Sequence, residues 1–269
     1  MPPITGRTAV TFVLADPIEH VRAPELMNER FRERGVDAVL VPMHVRTSDL
    51  ADVVRALAAT PSCPGFVVTM PHKSDMLGLV DDASEAARAC GAVNVVSRRQ
   101  DGRFVGDNLD GAGFVRGLAS EGHELAGKRV YLAGAGGAAA AIAFAVATAG
   151  AASLSIHNRT RDKAEALLDR VRAASHGRAI HLAVADAPPD PAHHDVVVNA
   201  TSLGRLPEDP LPIDPSRLVP PVVCVDILMG LDTPWLREAR ARGCPVQRGE
   251  PMLAHQLDRM VDLWFPVAR

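Results

Sequence analysis

The apolar positions in the first half of the chain fall into short blocks separated by amphipathic segments. The blocks are rich in valine, as buried strands are, whereas the segments between them repeat apolar residues every three or four positions, as helices do. This pattern predicts strands at 8–15, 38–45, 65–70 and 92–97, and helices at 24–35, 49–60, 82–91 and 110–122. A turn is predicted at Asp101-Gly102. Such alternation is typical of a mostly parallel sheet with helices on both faces.

The same alternation starts again at Lys128 and predicts a second α/β region. Strands are predicted at 128–133, 152–158, 181–185, 195–201 and 221–227, with a turn and helix in 134–150 and helices at 161–174, 233–243 and 251–265. The proline-rich segments 186–195 and 204–221 are predicted to be loops. We find no internal repeat, so the fold class is α/β without a solenoid pattern.

Composition and charge narrow the class of protein. Apolar residues make up 47% of the 269 residues, charged residues 23%, and the formal net charge is −3. This balance is ordinary for a soluble protein, and it offers no basic surface for nucleic acid. The four cysteines are widely spaced, which predicts neither a metal site nor a disulfide framework and favours a reducing, cytoplasmic location. The first residues contain no apolar run of the kind found in secretory signals.

One stretch raises the question of a membrane span. No charged residue occurs from Tyr131 to Ser155, which is long enough to cross a bilayer. The stretch is built mainly from alanine and glycine, which favour membranes only weakly. A strand, a tight turn and a buried helix are therefore the better prediction, and no membrane partner is expected.

The segment "VYLAGAGGAA" places a glycine-rich loop between a predicted strand and helix. Gly134 and Gly136 fit the two glycines of the GxGxxG/A spacing, and Ala139 stands at its third place. The same loop contains Ala135, Gly137 and Ala138. Such glycines let backbone N–H groups approach a pyrophosphate at a helix N-terminus. The alternative is a glycine turn that serves only helix packing.

The end of the next predicted strand indicates which dinucleotide binds. An NAD site would place an acidic residue there for the ribose hydroxyls. This chain has Asn158, Arg159 and Thr160 instead, followed by Lys163. A guanidinium and a hydroxyl suit a 2′-phosphate, so we predict NADP as the cofactor. A solvated basic turn is the alternative.

Taken in order, eight motifs resemble the shikimate/quinate dehydrogenase family over nearly the whole chain. They are "DPIEHVRAP", "VVTMPHK", "GAVN", "GDNLDGAGF", "GAGG", "NRT", "NATSLG" and "GEPMLAHQ". The resemblance implies an N-terminal α/β substrate-binding and catalytic domain at 1–112 and a Rossmann-type doubly wound NADP-binding domain at 113–249. It also implies that the C-terminal helix, 250–269, returns to the first domain.

The resemblance implies that Lys73 and Asp110 form the catalytic pair. Oxidation of a secondary alcohol needs a proton acceptor at the hydroxyl while hydride leaves the carbon, and a lysine beside an aspartate suits this chemistry. The sequence leaves open which of the two groups moves the proton. Taken alone, Lys73 could also be a solvated loop lysine.

Further roles follow from the same matching of motifs. Thr69, Asn94 and Gln256 would face substrate hydroxyls. The segment "NATSLG", with Thr201 and Ser202, would line the nicotinamide together with Gly249 and Met252. The alternatives are a turn-making role for Asn94 and a solvated helical position for Gln256.

The chain departs from the family where the substrate carboxylate is expected. Val21 and Ala23 stand in place of two serines, and Arg22 lies between them as a possible carboxylate ligand. Further replacements make the same pocket more apolar or remove a cofactor contact: Val67 for asparagine, Leu109 for threonine, Met229 for tyrosine, and Ala140 for an arginine after the glycine loop.

The sequence thus predicts an NADP-dependent oxidoreductase that acts on the ring secondary alcohol of shikimate or a related cyclic hydroxy acid. One alternative keeps the chemistry but uses quinate, an aminated analogue or a less polar cyclic alcohol. Another is an NADPH-binding sensor without turnover. The expected partner is a small molecule, and the protein is expected to be a monomer or a homodimer.

Overall fold

The computed structural model describes residues 4–175, 180–185, 193–206 and 208–266. Outside these residues lie most of the predicted loop 186–195 and position 207 of the predicted loop 204–221. Positions 1–3 and 267–269 of the predicted first domain also lie outside them. The chain falls into two compact units, the first made of 1–109 with 256–269 and the second of 110–255. The domain limits 112/113 and 249/250 stay predictions.

The described sheet of the first unit is mixed, with three parallel and two antiparallel pairings between neighbouring strands. Its order is β2-β1-β3-β5-β6-β4, and the strands are β1 Ala9–Ala15, β2 Ala38–His44, β3 Gly65–Val68, β4 Asp82–Ala83, β5 Val95–Arg98 and β6 Phe104–Asp107. Strand β5 runs antiparallel to both β3 and β6. The sequence prediction overlooked β6, which the turn at Asp101-Gly102 folds back onto β5 as a hairpin. Gly102 has a φ of 87°, a conformation that favours glycine.

Within the described residues, three α-helices belong wholly to the first unit: α1 Ala23–Glu33, α2 Leu50–Ala58 and α3 Glu85–Cys90. Helix α3 is shorter than predicted because Ser84 has an extended backbone and its hydroxyl accepts a hydrogen bond from the Ala87 N–H. The residues before Ser84 form β4 instead. The core of this unit contains Leu14, Phe66 and Met76, all fully buried.

The sheet of the second unit is entirely parallel. It contains β7 Arg129–Ala133, β8 Ser153–His157, β9 His181–Val184, β10 Val196–Asn199, β11 Val223–Asp226 and β12 Val246–Gln247. Its order, β12-β11-β10-β7-β8-β9, reverses direction between β7 and β10. This is the strand order of a dinucleotide-binding sheet, and it confirms the predicted Rossmann-type doubly wound fold.

Five further helices are α4 Asp110–Ser120, α5 Gly137–Thr148, α6 Arg161–Ala174, α7 Pro234–Ala241 and α8 Glu250–Trp264. Helices α4 and α5 approach closely, since a Cβ at Gly111 would come within 2.3 Å of the Ala141 carbonyl oxygen. The uncharged stretch from Tyr131 to Ser155 forms β7, a turn, α5 and β8 as predicted. Among the described residues, no helix combines the length and apolar character needed to span a membrane.

Candidate active site

In the first unit, the chain leaves the sheet at the carboxyl ends of two neighbouring parallel strands, β1 and β3. The Thr69 N–H donates to the Leu14 carbonyl at 3.1 Å, and the Asp16 N–H donates to the Met70 carbonyl at 3.2 Å. The segments that follow β1 and β3 therefore start side by side. Because β2 lies on the other side of β1, the strand order reverses here, and such points are where α/β sheets bind ligands.

The backbone on both sides of Lys73 is fixed. His72 is fully buried, and its Nε2 lies 2.7 Å from the Val45 carbonyl oxygen. The Lys73 carbonyl accepts a hydrogen bond from the Val93 N–H at 2.8 Å. The Lys73 side chain is half-buried. These bonds hold the lysine at the carboxyl-end edge of the sheet, beside the segment that carries Asn94.

Asn94 connects several parts of this edge. It is 2% exposed, its backbone carbonyl accepts from the Val68 N–H at 2.8 Å, and its N–H donates to the Asp107 carbonyl at 2.9 Å. Its Oδ1 accepts from the Leu109 N–H at 2.9 Å, and its Nδ2 lies 3.4 Å from Gln256 Oε1. The structure thus brings Asn94 together with Gln256. Gln256 is 6% exposed, which excludes the alternative of a solvated helical glutamine.

Asp110 is the first residue of α4 and is 5% exposed. It belongs to the second unit and Lys73 to the first, so their pairing stays a prediction. The residues before Asp110 are held by contacts that sequence reasoning missed. Asp107 Oδ1 accepts from the Ser84 hydroxyl and from the Asn108 N–H, and Asn108 Nδ2 donates to the Ala92 carbonyl at 3.0 Å. The sequence offered one signal for these contacts, the adjacent polar residues Asp107 and Asn108 at the end of an apolar strand.

The segment that follows β1 contains apolar side chains where the resemblance implies serines. Val21 is half-buried, and Ala23 is a buried residue at the start of α1. The Arg22 side chain is 61% exposed, and its Nε lies 3.0 Å from Glu25 Oε2. Val67 in β3 and Leu109 are also buried. The described contacts of Arg22 are therefore with a carboxylate of its own helix.

In the second unit, the glycine loop lies against the segment that follows β10. Gly134 has a φ of 116°, and a Cβ there would come within 2.7 Å of the Ala200 carbonyl oxygen. Only glycine fits this close approach. Thr201 donates to Asn199 Oδ1 from its N–H at 3.0 Å and from its hydroxyl at 2.7 Å, while Ser202 is exposed.

The backbone at the start of α5 borders open space. Gly136 caps the helix and Gly137 begins it, and no atom lies within 4 Å of a Cβ built on either residue. Ala135 and Ala138 are half-buried beside them, whereas Ala140 is buried in the helix. The free N–H groups of a helix N-terminus attract phosphate, so this loop suits a dinucleotide.

The chain after β8 suits a 2′-phosphate. Thr160 caps α6 with an extended backbone, and Asn158 Nδ2 donates to the Thr160 carbonyl at 2.8 Å. Arg159 and Lys163 are exposed, and 158–160 contains no carboxylate. The neighbouring Arg161 differs because it pairs with Glu165 at 2.8 Å. Exposed cations beside the helix N-terminus are what the extra phosphate of NADP requires.

A buried network that the sequence did not reveal joins the loops after β10 and β11. Asp226 is 1% exposed, and burial raises the pKa of its carboxyl group. Its oxygens accept from Asn199 Nδ2 at 3.0 Å, the Thr233 hydroxyl at 2.9 Å and the Leu228 N–H at 3.0 Å. Hydrogen bonds from three donors oppose the effect of burial and fix the segment that contains Thr201.

Two predicted nicotinamide residues, Gly249 and Met252, lie near the start of α8. A Cβ at Gly249 would come within 2.6 Å of the Ile227 carbonyl oxygen. Met252 is 7% exposed and packs in the apolar core of the second unit. A Cβ at Gly117 would come within 2.9 Å of the backbone nitrogen of Met252. The structure shows packing for both residues, and their contact with nicotinamide stays a prediction.

Two family models match most of this chain. The family model described as the shikimate dehydrogenase substrate binding domain matches residues 13–96, and the model described as shikimate/quinate 5-dehydrogenase matches 117–206. A shikimate dehydrogenase (NADP(+)) from Rubrobacter xylanophilus is 39% identical over 95% of this chain and 90% of its own.

Solved structures extend the match to the fold. The ligand-free 5-ketofructose reductase of Gluconobacter sp. strain CHM43 is 33% identical with a TM-score of 0.89, over 98% of this chain and 95% of its own. Shikimate 5-dehydrogenase from Listeria monocytogenes, solved with shikimate and NAD, is 30% identical with a TM-score of 0.90. The match covers 98% of this chain and 94% of that enzyme's chain. The chain therefore belongs to the shikimate/quinate dehydrogenase family.

Proposed function

We propose that this protein is an NADP-dependent oxidoreductase that moves hydride reversibly between NADP and a ring secondary alcohol of shikimate or a related cyclic hydroxy acid. The carrying observation is the junction at Asn94, which holds Gln256 and the backbone before Asp110 at the edge where Lys73 is fixed. The relatives named as NADP-dependent shikimate dehydrogenases support the same activity.

NADP supplies the hydride acceptor in this reaction. The N–H groups at the start of α5 would bind its pyrophosphate, and Arg159 with Thr160 and Lys163 would bind its 2′-phosphate. The segment Asn199–Gly204, with Thr201 and Ser202, would lie along the nicotinamide, since it follows β10 beside the glycine loop. We assign the remaining nicotinamide contacts to Gly249 and Met252.

The first unit would bind and deprotonate the alcohol. Thr69, Asn94 and Gln256 would orient the ring through its hydroxyl groups. Lys73 and Asp110 would hold the reacting hydroxyl and take its proton as hydride leaves the same carbon. In the reverse direction the pair would return a proton to the carbonyl oxygen, so that alcohol and NADP⁺ interconvert with ketone, NADPH and one proton.

A second candidate keeps this chemistry but uses an uncharged keto sugar. The Gluconobacter relative is named for 5-ketofructose, a compound without a carboxylate. The specific observation in its favour is the pairing of Arg22 with Glu25, which leaves Val21 and Ala23 as the neighbouring side chains. We also propose that the enzyme works in the cytoplasm, as a monomer or a homodimer.

Steady-state assays of the purified protein test this function. We expect shikimate and NADP⁺ to form NADPH, which is measured by its absorbance. The Lys73→Ala variant should show little activity. Oxidation of quinate with NADP⁺ and reduction of 5-ketofructose with NADPH would rank the candidates. NADPH binding without turnover of any of these compounds would contradict the proposal and favour the sensor alternative.

A further inference from the structure

Two half-buried side chains of the first unit, Ser84 and Asp107, form a contact outside the residues assigned to substrate or NADP. The Ser84 hydroxyl donates a hydrogen bond to Asp107 Oδ1, across 23 residues of the chain. Asp107 is the last residue of β6, and only Asn108 and Leu109 separate it from Asp110. The contact therefore lies where the chain leaves the sheet toward the predicted catalytic aspartate.

A second hydrogen bond fixes the direction of this contact. Ser84 caps α3, and its hydroxyl oxygen accepts from the Ala87 N–H at 3.1 Å. A hydroxyl has a single proton, which in Ser84 is donated to Asp107. The Ser84 N–H also donates to the Gly106 carbonyl at 2.8 Å. Ser84 is thus bonded to the end of β6 through both its side chain and its backbone.

The Asp107 carboxylate passes this restraint to the residue that follows it. Its Oδ1 also accepts from the Asn108 N–H at 2.7 Å, so two donors hold a single oxygen. Both donors are neutral groups, and the two bonds therefore depend on Oδ1 as an acceptor and not on a paired cation. The Asp107 carbonyl accepts from the Asn94 N–H at 2.9 Å, which fixes the backbone of the same residue.

Asn108 connects these bonds to the segment that holds Lys73. It is 4% exposed, and its Nδ2 donates to the Ala92 carbonyl at 3.0 Å. Val93, the next residue, donates its N–H to the Lys73 carbonyl at 2.8 Å. Asn108 is therefore bonded at its backbone to the preceding carboxylate and at its side chain to the segment beside Lys73, two residues before Asp110.

We propose that Ser84 and Asp107 are positioning residues for Asp110. This inference rests on the proposed function and names side chains that hold one of its two proton-transfer groups in place. Their hydrogen bonds fix the backbone that leads into Asp110, and a displacement of about 1 Å in a reacting group can lower a rate about a hundredfold. Their loss should therefore lower kcat and leave the affinity for NADP unchanged.

Ser84→Ala tests the contact with NADP⁺ and either shikimate or quinate, whichever the unmodified protein oxidises faster. We expect kcat to fall about tenfold or more, with the affinity for NADP within about twofold of that of the unmodified protein. A normal kcat in folded Ser84→Ala would overturn the inference while leaving the proposed function standing. Oxidation of neither compound by the unmodified protein would contradict the proposed function and, with it, this inference.

Four further variants separate positioning from loss of the α3 cap. Asp107→Ala leaves the cap intact and should lower kcat as much as Ser84→Ala. The double variant should lower kcat no further, because both changes remove the same contact. Ser84→Thr keeps the hydroxyl and Asp107→Asn keeps Oδ1, so each should recover most of kcat. Equal losses in Asp107→Asn and Asp107→Ala, or independent losses in the double variant, would overturn the inference.

A deuterium isotope effect shows which step the contact controls. The substrate is deuterated at the carbon that loses hydride, and Ser84→Ala should show a clear effect on kcat, since the chemical step then limits turnover. Thr60→Ala is the matched control, because it removes a hydroxyl that donates to the Ala56 carbonyl at 2.8 Å at the end of α2. It should keep kcat. A fall in kcat of Ser84→Ala without an isotope effect would place the loss in another step and overturn the inference.

Discussion

Asn94 Oδ1 accepts a hydrogen bond from the Leu109 N–H at 2.9 Å, so a buried side chain fixes the backbone one residue before Asp110. Asn94→Ala should therefore lower kcat at least tenfold, because it frees the segment that positions Asp110. It should also cost about 1–3 kcal/mol of unfolding free energy, since a buried N–H loses its acceptor. Steady-state kinetics and urea denaturation measure the two effects.

Asn28→Ala is the control for this prediction. Asn28 also bonds a backbone in the first unit, through Leu40, at 2.8 and 2.9 Å. Its replacement should cost a similar free energy and leave kcat nearly unchanged. An equal fall in kcat in both variants would mean that general destabilisation explains the loss.

Lys73→Ala and Asp110→Ala should each lower turnover by about two orders of magnitude or more, the usual contribution of a general acid or base. The affinity for NADP, measured by fluorescence titration, should barely change. Lys128→Ala, at an exposed lysine before β7, is the control and should behave like the unmodified protein. Near-normal turnover of Lys73→Ala would identify Lys73 as a solvated loop lysine.

NADP should bind at least tenfold more tightly than NAD, which corresponds to about 1.4 kcal/mol from contacts with the 2′-phosphate. Arg159→Ala should remove most of this difference. Arg161→Ala should keep it, because Arg161 pairs with Glu165. Calorimetric titration with both dinucleotides gives the ratio, and equal affinities in the unmodified protein would contradict the prediction.

The glycine loop offers a test that separates folding from binding. Gly134→Ala should lower the Tm clearly, because φ is 116° and the new Cβ would meet the Ala200 carbonyl oxygen. Gly136→Ala should keep its Tm, since φ is −80° and no atom lies within 4 Å of the Cβ. It should nevertheless weaken NADP binding, because the methyl group enters the space of the pyrophosphate. A normal NADP affinity in Gly136→Ala would place the pyrophosphate elsewhere.

Acid should weaken one ion pair of the second unit. The Arg129 side chain hydrogen-bonds Asp195 and lowers its pKa from 3.8 to about 2. A lowered pKa stabilises the fold above the unfolded value, and this contribution is lost as the pH falls from about 4 toward 2. Arg129→Ala should lower the free energy of unfolding only slightly at pH 7, because the pair is exposed to solvent.

Urea denaturation at several pH values measures this effect. The difference between Arg129→Ala and the unmodified protein should shrink below pH 4, about the unfolded pKa. Arg172→Ala breaks a more exposed pair with Asp169 and should cost less at every pH. A cost of Arg129→Ala that is independent of pH would show that the charge of Asp195 is not involved.

The sequence predicted the features that depend on local pattern. The parallel strands of the second unit, the glycine loop and helix α6 were visible because periodicity and glycine spacing are local signals. The hairpin of β5 and β6 was missed because the short β6 shows only weak alternation. The bonds from Asn94 to Leu109 and from Asp226 to Thr233 were also missed. Both join residues that come together only in the folded chain, and a single sequence carries no signal for such pairs.

Helix α8 gives the first unit a contact from the far end of the chain. Trp264 Nε1 donates to the Val96 carbonyl at 3.0 Å across 168 residues, and a Cβ at Gly65 would overlap its indole ring. During translation, this contact can form only after residue 264 has been made, roughly ten to thirty seconds after Val96 at usual rates of elongation. The residues of the second unit are contiguous, so the ribosome releases all of them before it completes the first. Residues of the first unit are thus synthesised both before and after those of the second.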